Sequence, residues 1–366
     1  MIKVTLTNEI LRYITEIEQN RYKVSSVKLS QTVMNKLRKN SKKKSSYASN
    51  KIEGNPLSEK QVNEVIESDE RKHYLKPEQE VRNYFLALNY LEEKVKNKEK
   101  FSKELILDVQ KLVEKGASKE KIGLRGPMPP GVLFAVYDSK TGNPDYIPPE
   151  YCDIPGLLDE LVEYVNTTDD HPLIVAAVVH YQLVTIHPFE DGNGRTARLL
   201  SGYIMDLNGY GFNGIGSLEE YFAYDIDEYY ESIQMGLPAL YYSGRENPPH
   251  PEIWINYFLR MVKLYSGKVC DLQLASEEED IAGSLSFLKG KEKELLLFLM
   301  KNYRGEFTPI EISRELSVTN KTIINRLMIL VKNGFVIPIL VNKRIRSYEL
   351  SEFTKEHEKK IIKAIS

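Results

Sequence analysis

Apolar residues recur every three to four positions along most of the chain, a spacing that predicts amphipathic helices. The clearest case is EVRNYFLALNYLEEKV, residues 80–95, whose apolar stripe comprises Val81, Tyr84, Phe85, Leu88 and Leu91. Residues 103–116, 153–166 and 194–209 repeat this pattern. Residues 172–186, PLIVAAVVHYQLVTI, are apolar on nearly every side. They are therefore predicted to form a central helix, buried all round.

One interval interrupts the helical pattern. Residues 123–149, GLRGPMPPGVLFAVYDSKTGNPDYIPP, contain too many prolines and glycines for a continuous helix. Within them the apolar segments VLFAVY and DYI flank a turn-like DSKTGNP. This arrangement predicts a β-hairpin on an otherwise helical body.

The pattern changes again after the acidic SEEED at 276–280. The tail reads as helix, helix, turn, helix and then two strands around an NKRIR tip, the order of a winged helix-turn-helix. We therefore predict a mainly α protein with three regions, 1–115, 116–282 and 283–366.

Composition narrows the function classes. The 366 residues carry a formal net charge of -2, which gives no bulk attraction to nucleic acid or membrane. Cys152 and Cys270 form neither a disulfide framework nor a zinc-binding spacing. The N-terminal segment lacks a signal-peptide core, and the chain has no run of about 20 apolar residues. A cytoplasmic protein with no membrane partner is the expectation.

The densest chemistry lies in IHPFEDGNGRTAR, residues 186–198. We expect an apolar helix, a loop, and a second helix that begins at Arg195. Free backbone N–H groups at such a helix start form an anion site, and Gly192 and Gly194 permit a phosphate to approach closely. Arg195 and Arg198, three positions apart, would reach the same polyphosphate.

Two further side chains of this stretch suit phosphorus chemistry. Asp191 is a hard oxygen ligand of the kind that Mg²⁺ uses together with substrate phosphates. His187 would accept a proton from an attacking hydroxyl at neutral pH. No serine or cysteine is placed there as an enzyme nucleophile, so direct transfer to an external acceptor is the simpler reaction.

The stretch HPFEDGNGRTAR resembles the Fic-domain signature HPFx(D/E)GNGRxxR without a departure, and the resemblance extends from about residue 45 to 265. Fic proteins are mostly adenylyltransferases, which move AMP from ATP to a hydroxyl side chain of a target protein. The resemblance implies a Fic-type helical core, Mg²⁺ and ATP. It also implies the following roles: general base for His187, loop anchor for Phe189, Mg²⁺ ligand for Asp191, anion hole for Gly192, Asn193 and Gly194, and phosphate-binding arginines for Arg195 and Arg198.

Other segments gain meaning from the same resemblance. Residues 132–147 match the flap, a hairpin that holds the target segment by strand addition. Tyr229 and Tyr230 lie where a tyrosine pair often lines the nucleoside pocket, although ordinary helix packing explains them equally well.

A second motif, SNKIEGN at 49–55, read alone is a carboxylate near the end of a short helix that Gly54 and Pro56 stop. It also matches the family's inhibitory pattern (S/T)xxxE(G/N) through Ser49, Glu53 and Gly54. The resemblance implies an N-terminal inhibitory helix whose Glu53 pairs with Arg198. Glu53 would then compete with the γ-phosphate of ATP, and it would also be able to position a water for AMP removal.

The leading hypothesis is an autoinhibited protein adenylyltransferase. The alternative is a DNA-binding transcriptional regulator whose Fic core senses nucleotide. Residues 301–350 hold nine Lys+Arg against four Asp+Glu, and Lys321, Asn325, Arg326, Lys343, Arg344 and Arg346 are the expected DNA contacts. Winged helices also dock proteins or form homodimers, and the sequence favours neither partner.

Overall fold

The computed structural model describes residues 2–27, 29–68, 71, 73–117, 122–137, 142–235, 237, 248–341 and 343–365. These residues are mainly helical with a few short strands, as predicted. The chain divides into two compact units. The first comprises Met1–Val24 and Lys36–Val269, and the second comprises Ser25–Asn35 and Cys270–Ser366.

Eleven helices begin within the described part of the first 269 residues, some extending into the second unit. They are α1 (Asn8–Ser26), α2 (Gln31–Ile52), α3 (Glu59–Glu67), α4 (Lys76–Lys96), α5 (Lys103–Glu114), α6 (Ile154–Thr167), α7 (Pro172–Ile186), α8 (Asn193–Leu207), α9 (Glu219–Phe222), α10 (Ile226–Gln234) and α11 (Pro251–Ser286). A 3₁₀ turn at Phe212–Gly214 precedes α9.

Helix α7 is the centre of the first unit. All of its residues from Leu173 to Leu183 are buried, as its uniformly apolar sequence predicts. It packs along α8, and the indole N–H of Trp254 in α11 donates to the Ala177 carbonyl oxygen over 2.8 Å. The loop between α7 and α8 therefore follows directly from a helix that is buried in the core of this unit.

Helix α2 is longer than the sequence suggested. The predicted short helix before Gly54 is the last part of a 22-residue helix. Its lysine run is accommodated because each ammonium group meets a carboxylate on another helix. These pairs are Lys42–Glu92, Lys43–Glu67 and Lys44–Glu220.

The predicted hairpin is present but short. Strand β1 (Val136–Tyr137) pairs antiparallel with β2 (Pro144–Tyr146), while residues 138–141 of the predicted turn at 138–144 lie outside the described residues. Val132 and Leu133, predicted as strand, are exposed and irregular instead. The chain turns there, since the N–H of Val132 bonds back to the Pro129 carbonyl oxygen.

The second unit has its own core. Its elements after α11 are α12 (Gly290–Asn302), α13 (Pro309–Leu316), α14 (Asn320–Lys332), β3 (Val336–Val341), β4 (Arg344–Leu350), α15 (Glu352–Glu356) and α16 (Glu358–Ile365). Three helices thus precede an antiparallel hairpin, in the predicted order, with the predicted stripe Ile323, Leu327 and Leu330 fully buried. The sequence does not predict α15 and α16.

The compact units divide at Val269 and Cys270, whereas the sequence placed a boundary near residue 283. Both positions lie inside α11, because the helix runs unbroken from Pro251 through the acidic segment to Ser286. The predicted regions 1–115 and 116–282 also fall largely within one unit. Among the described residues, no helix combines the length and the apolar character that crossing a membrane requires.

Candidate active site

The loop between α7 and α8 is held by its own residues. His187 ends α7 in the left-handed region at φ 48°, and Phe189 is completely buried. The Asn193 side chain closes the loop, because it accepts from the Phe189 N–H at 3.0 Å and donates to the Phe189 carbonyl oxygen at 2.8 Å. Phe189 thus lies where the predicted anchor should be. The Asn193 amide serves the loop, which leaves only its backbone N–H for an anion.

The His187 imidazole has a defined tautomer. Its Nδ1 lies 3.3 Å from the Val184 carbonyl oxygen, which can only accept, so Nδ1 carries the proton. Nε2 therefore keeps its lone pair. Burial lowers the pKa of His187 to about 4, which keeps the ring neutral at pH 7. The Phe134 ring lies 5.9 Å from the imidazole, centroid to centroid. This geometry suits a general base.

Arg125, which the sequence did not single out, fastens the same loop. Its Nε donates to the His187 carbonyl oxygen at 2.8 Å, and its backbone N–H donates to the Pro188 carbonyl oxygen at 2.9 Å. A terminal nitrogen also donates to the Pro149 carbonyl oxygen. Arg125 therefore joins both ends of the hairpin region to the histidine.

The start of α8 is built to receive an anion. The helix begins at Asn193, two residues earlier than predicted, and Gly192 precedes it at φ +82° with no side-chain cap. The N–H groups of the first turn are therefore not satisfied by a capping side chain. A Cβ on Gly194 would lie 2.4 Å from Oε1 of Glu53, so a carboxylate oxygen already lies against this position.

Glu53 and Arg198 meet as the inhibitory pattern predicts. Arg198 Nη2 lies 2.5 Å from Glu53 Oε1, and Arg198 Nε donates to the Ser49 hydroxyl at 2.8 Å. The Arg198 side chain is 1% exposed and that of Glu53 is 33% exposed. Burial alone would lower the pKa of Arg198, but Glu53 and the neighbouring tyrosines raise it, so the guanidinium stays charged.

Two features of α2 deliver this contact. Ser49 and Glu53 are four residues apart and so project from one face of α2. Gly54 follows at φ +79°, where a side chain would be strained, and the N–H of Asn55 closes the helix end onto the Asn50 carbonyl oxygen.

Arg195 does not point where the sequence placed it. We expected it beside Arg198 on a polyphosphate, yet its side chain is only 3% exposed and pairs with the fully buried Glu114 at 2.8 Å. The same Nη2 atom lies 3.2 Å from Asp191 Oδ1. The reason is steric and electrostatic: α5 brings a carboxylate beneath the start of α8, and the guanidinium turns inward to meet it.

Asp191, which the sequence assigns to Mg²⁺, keeps a partly exposed carboxylate. Its side chain is 30% exposed, and Oδ1 accepts from the Gly192 N–H at 2.8 Å. Within the described ranges, no group of three or more His, Cys, Asp or Glu side chains could hold a metal ion. A single carboxylate, that of Asp191, still fits Mg²⁺, because this ion commonly takes one or two carboxylates plus substrate phosphates.

Tyr229 and Tyr230 occupy different environments. Tyr229 is 1% exposed, and its hydroxyl lies 2.8 Å from Nε2 of the buried His180 and 3.3 Å from Arg198 Nη1. Tyr230 is 43% exposed. Tyr229 is therefore part of the core that supports Arg198, and Tyr230 is the member of the pair whose ring remains accessible.

The residues that sequence reasoning missed are Arg125, Glu114 and Gln110. Gln110, one turn before Glu114 on α5, donates to the Asp191 carbonyl oxygen at 3.3 Å. The one available signal was a glutamine and a glutamate at positions 110 and 114 on the apolar side of a predicted helix.

Comparison with known proteins relates part of this chain to one family. Residues 100–205 match the model of the Fic/DOC family. A protein adenylyltransferase Fic from Drosophila grimshawi is 26% identical over 206 residues, which are 54% of this chain and 40% of that protein. The protein adenylyltransferase fic-1 of Caenorhabditis briggsae is 33% identical over 171 residues, 43% of this chain and 31% of that protein. The match thus spans less than half the length of these relatives.

Solved structures share the fold. A Fic family protein from Desulfovibrio desulfuricans G20 superposes with a TM-score of 0.60 at 19% identity, covering 96% of this chain and 98% of the other. Fic-1 from C. elegans gives a TM-score of 0.55 at 23% identity, covering 73% and 72%. The described residues therefore have the helical fold of these Fic proteins, and residues 100–205 are similar to the Fic/DOC family.

Proposed function

We propose that this chain, with its Fic domain, is an autoinhibited protein adenylyltransferase that transfers AMP from ATP to a Ser, Thr or Tyr hydroxyl of a target protein. The observation that carries the proposal is the His187 tautomer: a neutral imidazole with Nε2 unprotonated, next to an uncapped helix start. A protein that only senses nucleotide needs the helix start but not the base. The relatives named as adenylyltransferases support the same reaction.

The loop residues supply the groups that AMP transfer needs. The target hydroxyl oxygen forms a bond to the α-phosphorus of ATP, and its proton passes to Nε2 of His187. The bond from the α-phosphorus to the bridging oxygen of the β-phosphate breaks, and pyrophosphate leaves. The N–H groups of Asn193, Gly194 and Arg195 at the start of α8 stabilise the charge on the phosphates.

ATP and Mg²⁺ are the expected co-substrate and metal. Asp191 would hold Mg²⁺, which supplies positive charge to the phosphate oxygens when bound. Tyr230 would contact the nucleoside through its accessible ring. The target segment would dock on the hairpin of β1 and β2, whose base carries Phe134 over Arg125 at 4.7 Å, close to His187.

Autoinhibition follows from competition at Arg198 and Gly194. Ser49, Glu53 and Tyr229 occupy all three guanidinium nitrogens of Arg198. A γ-phosphate would need both the Arg198 donors and the space that Glu53 fills. Glu53 must therefore withdraw before ATP binds productively. Hydrolytic removal of AMP from a modified target would be a second use of the same carboxylate, which would then orient a water.

Labelled ATP tests this function. We expect Glu53→Ala to raise incorporation of α-labelled phosphate into protein strongly over wild type, and His187→Ala to abolish it in the Glu53→Ala background. Glu163→Ala, which removes an exposed carboxylate of α6, is the matched control and should change nothing. Incorporation from γ-labelled ATP would instead indicate phosphorylation and would contradict the proposal.

Absence of label from either position would favour the second candidate, a DNA-binding regulator with a nucleotide-sensing core. The second unit supplies the observation that keeps this candidate: Lys321, Asn325, Lys343, Arg344 and Arg346 are exposed, and Arg326 is half-buried. The hairpin of β3 and β4 also exposes Leu340 and Ile345, which suit a protein partner or a second copy of the chain.

A further inference from the structure

Arg198 and Arg195 each pair with a glutamate, and the two glutamates differ in their exposure to solvent. Glu53, at the end of α2, is 33% exposed and can leave Arg198 by a movement of the helix end. Glu114 is 0% exposed and holds Arg195 from within the core. An interaction that is buried on both sides does not open to admit a ligand, so the second pair needs a different explanation from competition.

The contacts of Arg195 lead away from the phosphates and towards Asp191. One nitrogen, Nη2, bonds to Glu114 and also lies 3.2 Å from Asp191 Oδ1. The other two nitrogens, Nε and Nη1, are shielded from solvent and have no hydrogen-bond partner among the residues that the structure describes. The guanidinium therefore contacts the carboxylate of Asp191 from behind, on the side shielded from solvent.

Glu114 also touches the backbone of the same loop. A Cβ on Gly192 would lie 2.7 Å from Glu114 Oε1, so the carboxylate packs directly against this glycine. Gln110, one turn earlier, donates to the carbonyl oxygen of Asp191. One face of α5 thus contacts Asp191, Gly192 and Arg195.

We propose that Glu114 is a positioning residue for the metal site: through Arg195 it fixes the carboxylate of Asp191, and by direct contact it fixes the backbone of Gly192. This inference rests on the proposed function, since it assigns Asp191 to Mg²⁺. It also changes the role of Arg195, which orients the metal ligand and leaves direct phosphate contact to Arg198 and the helix start.

The buried charge of Arg195 explains why it needs Glu114 as a partner. An unpaired guanidinium at this depth is strongly destabilising, and a carboxylate is the partner that offsets its charge. Burial raises the pKa of Glu114 to about 7, with Arg195 opposing the shift. Glu114 is thus kept at this depth at a cost in desolvation, and a methyl or methylene group would not supply the acceptor that Arg195 needs.

Metal affinity is the property that separates this role from a merely structural one. In the Glu53→Ala background, Mn²⁺ binding in the presence of ADP would be measured by the loss of the free-ion EPR signal, and the half-saturating Mg²⁺ concentration by AMP transfer. We expect Glu114→Ala to weaken both by roughly 10- to 100-fold, the range seen when a group that orients a metal ligand is removed. Glu114→Gln, whose amide oxygen still accepts from Arg195, should restore most of the affinity.

Glu292→Gln provides the matched control, because Glu292 is a buried carboxylate of the second unit and its loss should leave Mn²⁺ affinity unchanged. The proposal is overturned if folded Glu114→Ala loses kcat while its Mn²⁺ affinity stays at the value of the Glu53→Ala protein. It is equally overturned if Gln is no better than Ala. The EPR measurement needs no AMP transfer, so a failure of the proposed activity would be seen separately.

Discussion

At the scale of single residues, the backbone decides what each side chain of the loop can do. His187 has a positive φ, and this conformation ends α7 while its ring bonds back to Val184. A residue in that region is uncommon outside glycine and asparagine, and it is kept here because the surrounding contacts of Arg125 and Phe189 over-determine it. The base is therefore oriented before any substrate arrives.

The pKa of His187 leads to a prediction about pH. Its folded value of about 4 lies below the ordinary 6.5, so the base form persists as pH falls and is lost only near pH 4. In the Glu53→Ala background at saturating ATP and Mg²⁺, kcat should stay level from pH 8 to about 5.5, where an ordinary histidine would already be mostly protonated. A midpoint near 6.5, with circular dichroism showing a folded protein, would contradict this assignment.

Much of the site could be read from residues that are adjacent in sequence. The stretch 187–198 keeps its chemistry together because it is one loop and one helix turn, and Glu53 was found because Ser49, Glu53 and Gly54 match the inhibitory pattern of the family that the sequence resembles. Glu114 and Arg125 could not be found in this way. Their roles depend on which helix packs beneath α8 and on which backbone carbonyl oxygens a guanidinium meets, and neither is written in local spacing.

At the scale of elements, α2 holds Glu53, the residue of the proposed autoinhibition, at its C-terminal end. Its lysines pair with α3, α4 and residue 220 at the start of α9, and Ser45 donates to the buried Glu219 at 2.8 Å. The sequence predicted only a short helix before Gly54, whereas the helix extends back through the lysine run at 42–44. The partners on other elements were not visible from the run itself.

The end of this element gives a second prediction. Gly54→Ala forces a side chain into the left-handed region, at a cost of about 1 kcal/mol or more, and should loosen the turn that holds Glu53. We expect a lower melting temperature and increased basal AMP transfer relative to wild type. Gly290→Ala is the matched control, because Gly290 begins α12, has no positive φ and has open space for a Cβ. Unchanged basal transfer in a destabilised Gly54→Ala protein would count against α2 as the inhibitor.

At the scale of the whole molecule, the chain has two hydrophobic cores. The core of the second unit includes Leu296, Leu299, Ile312 and Leu327, all 0% exposed. The predicted boundary near 283 missed the division at 269 because helical periodicity continues through it. This boundary lies inside a continuous helix with no proline near it, and Gly267, two residues before it, does not interrupt the helix.

Because each unit has its own core, a core substitution in one unit should change the stability of that unit alone. Leu296→Ala should destabilise the second unit by about 2–5 kcal/mol, the usual cost of truncating a buried leucine, while AMP transfer by the Glu53→Ala protein at 25 °C stays unchanged. Leu200→Ala, an equally buried leucine of α8, should lower both stability and transfer. Calorimetry and initial rates would measure the two effects. Equal loss of transfer in both variants would show that the second unit is required for catalysis.

The carboxylate that lies against Gly194 has a consequence for regulation in the cell. In the proposed autoinhibition Glu53 would act as a tethered competitor, because it is part of the same chain; its effective concentration, on the order of millimolar or higher, would not change with dilution. Changes in the amount of this protein alone would therefore never switch it on. Activation would require either ATP at a concentration that, relative to its affinity, outcompetes the tethered carboxylate, or an event that moves the end of α2.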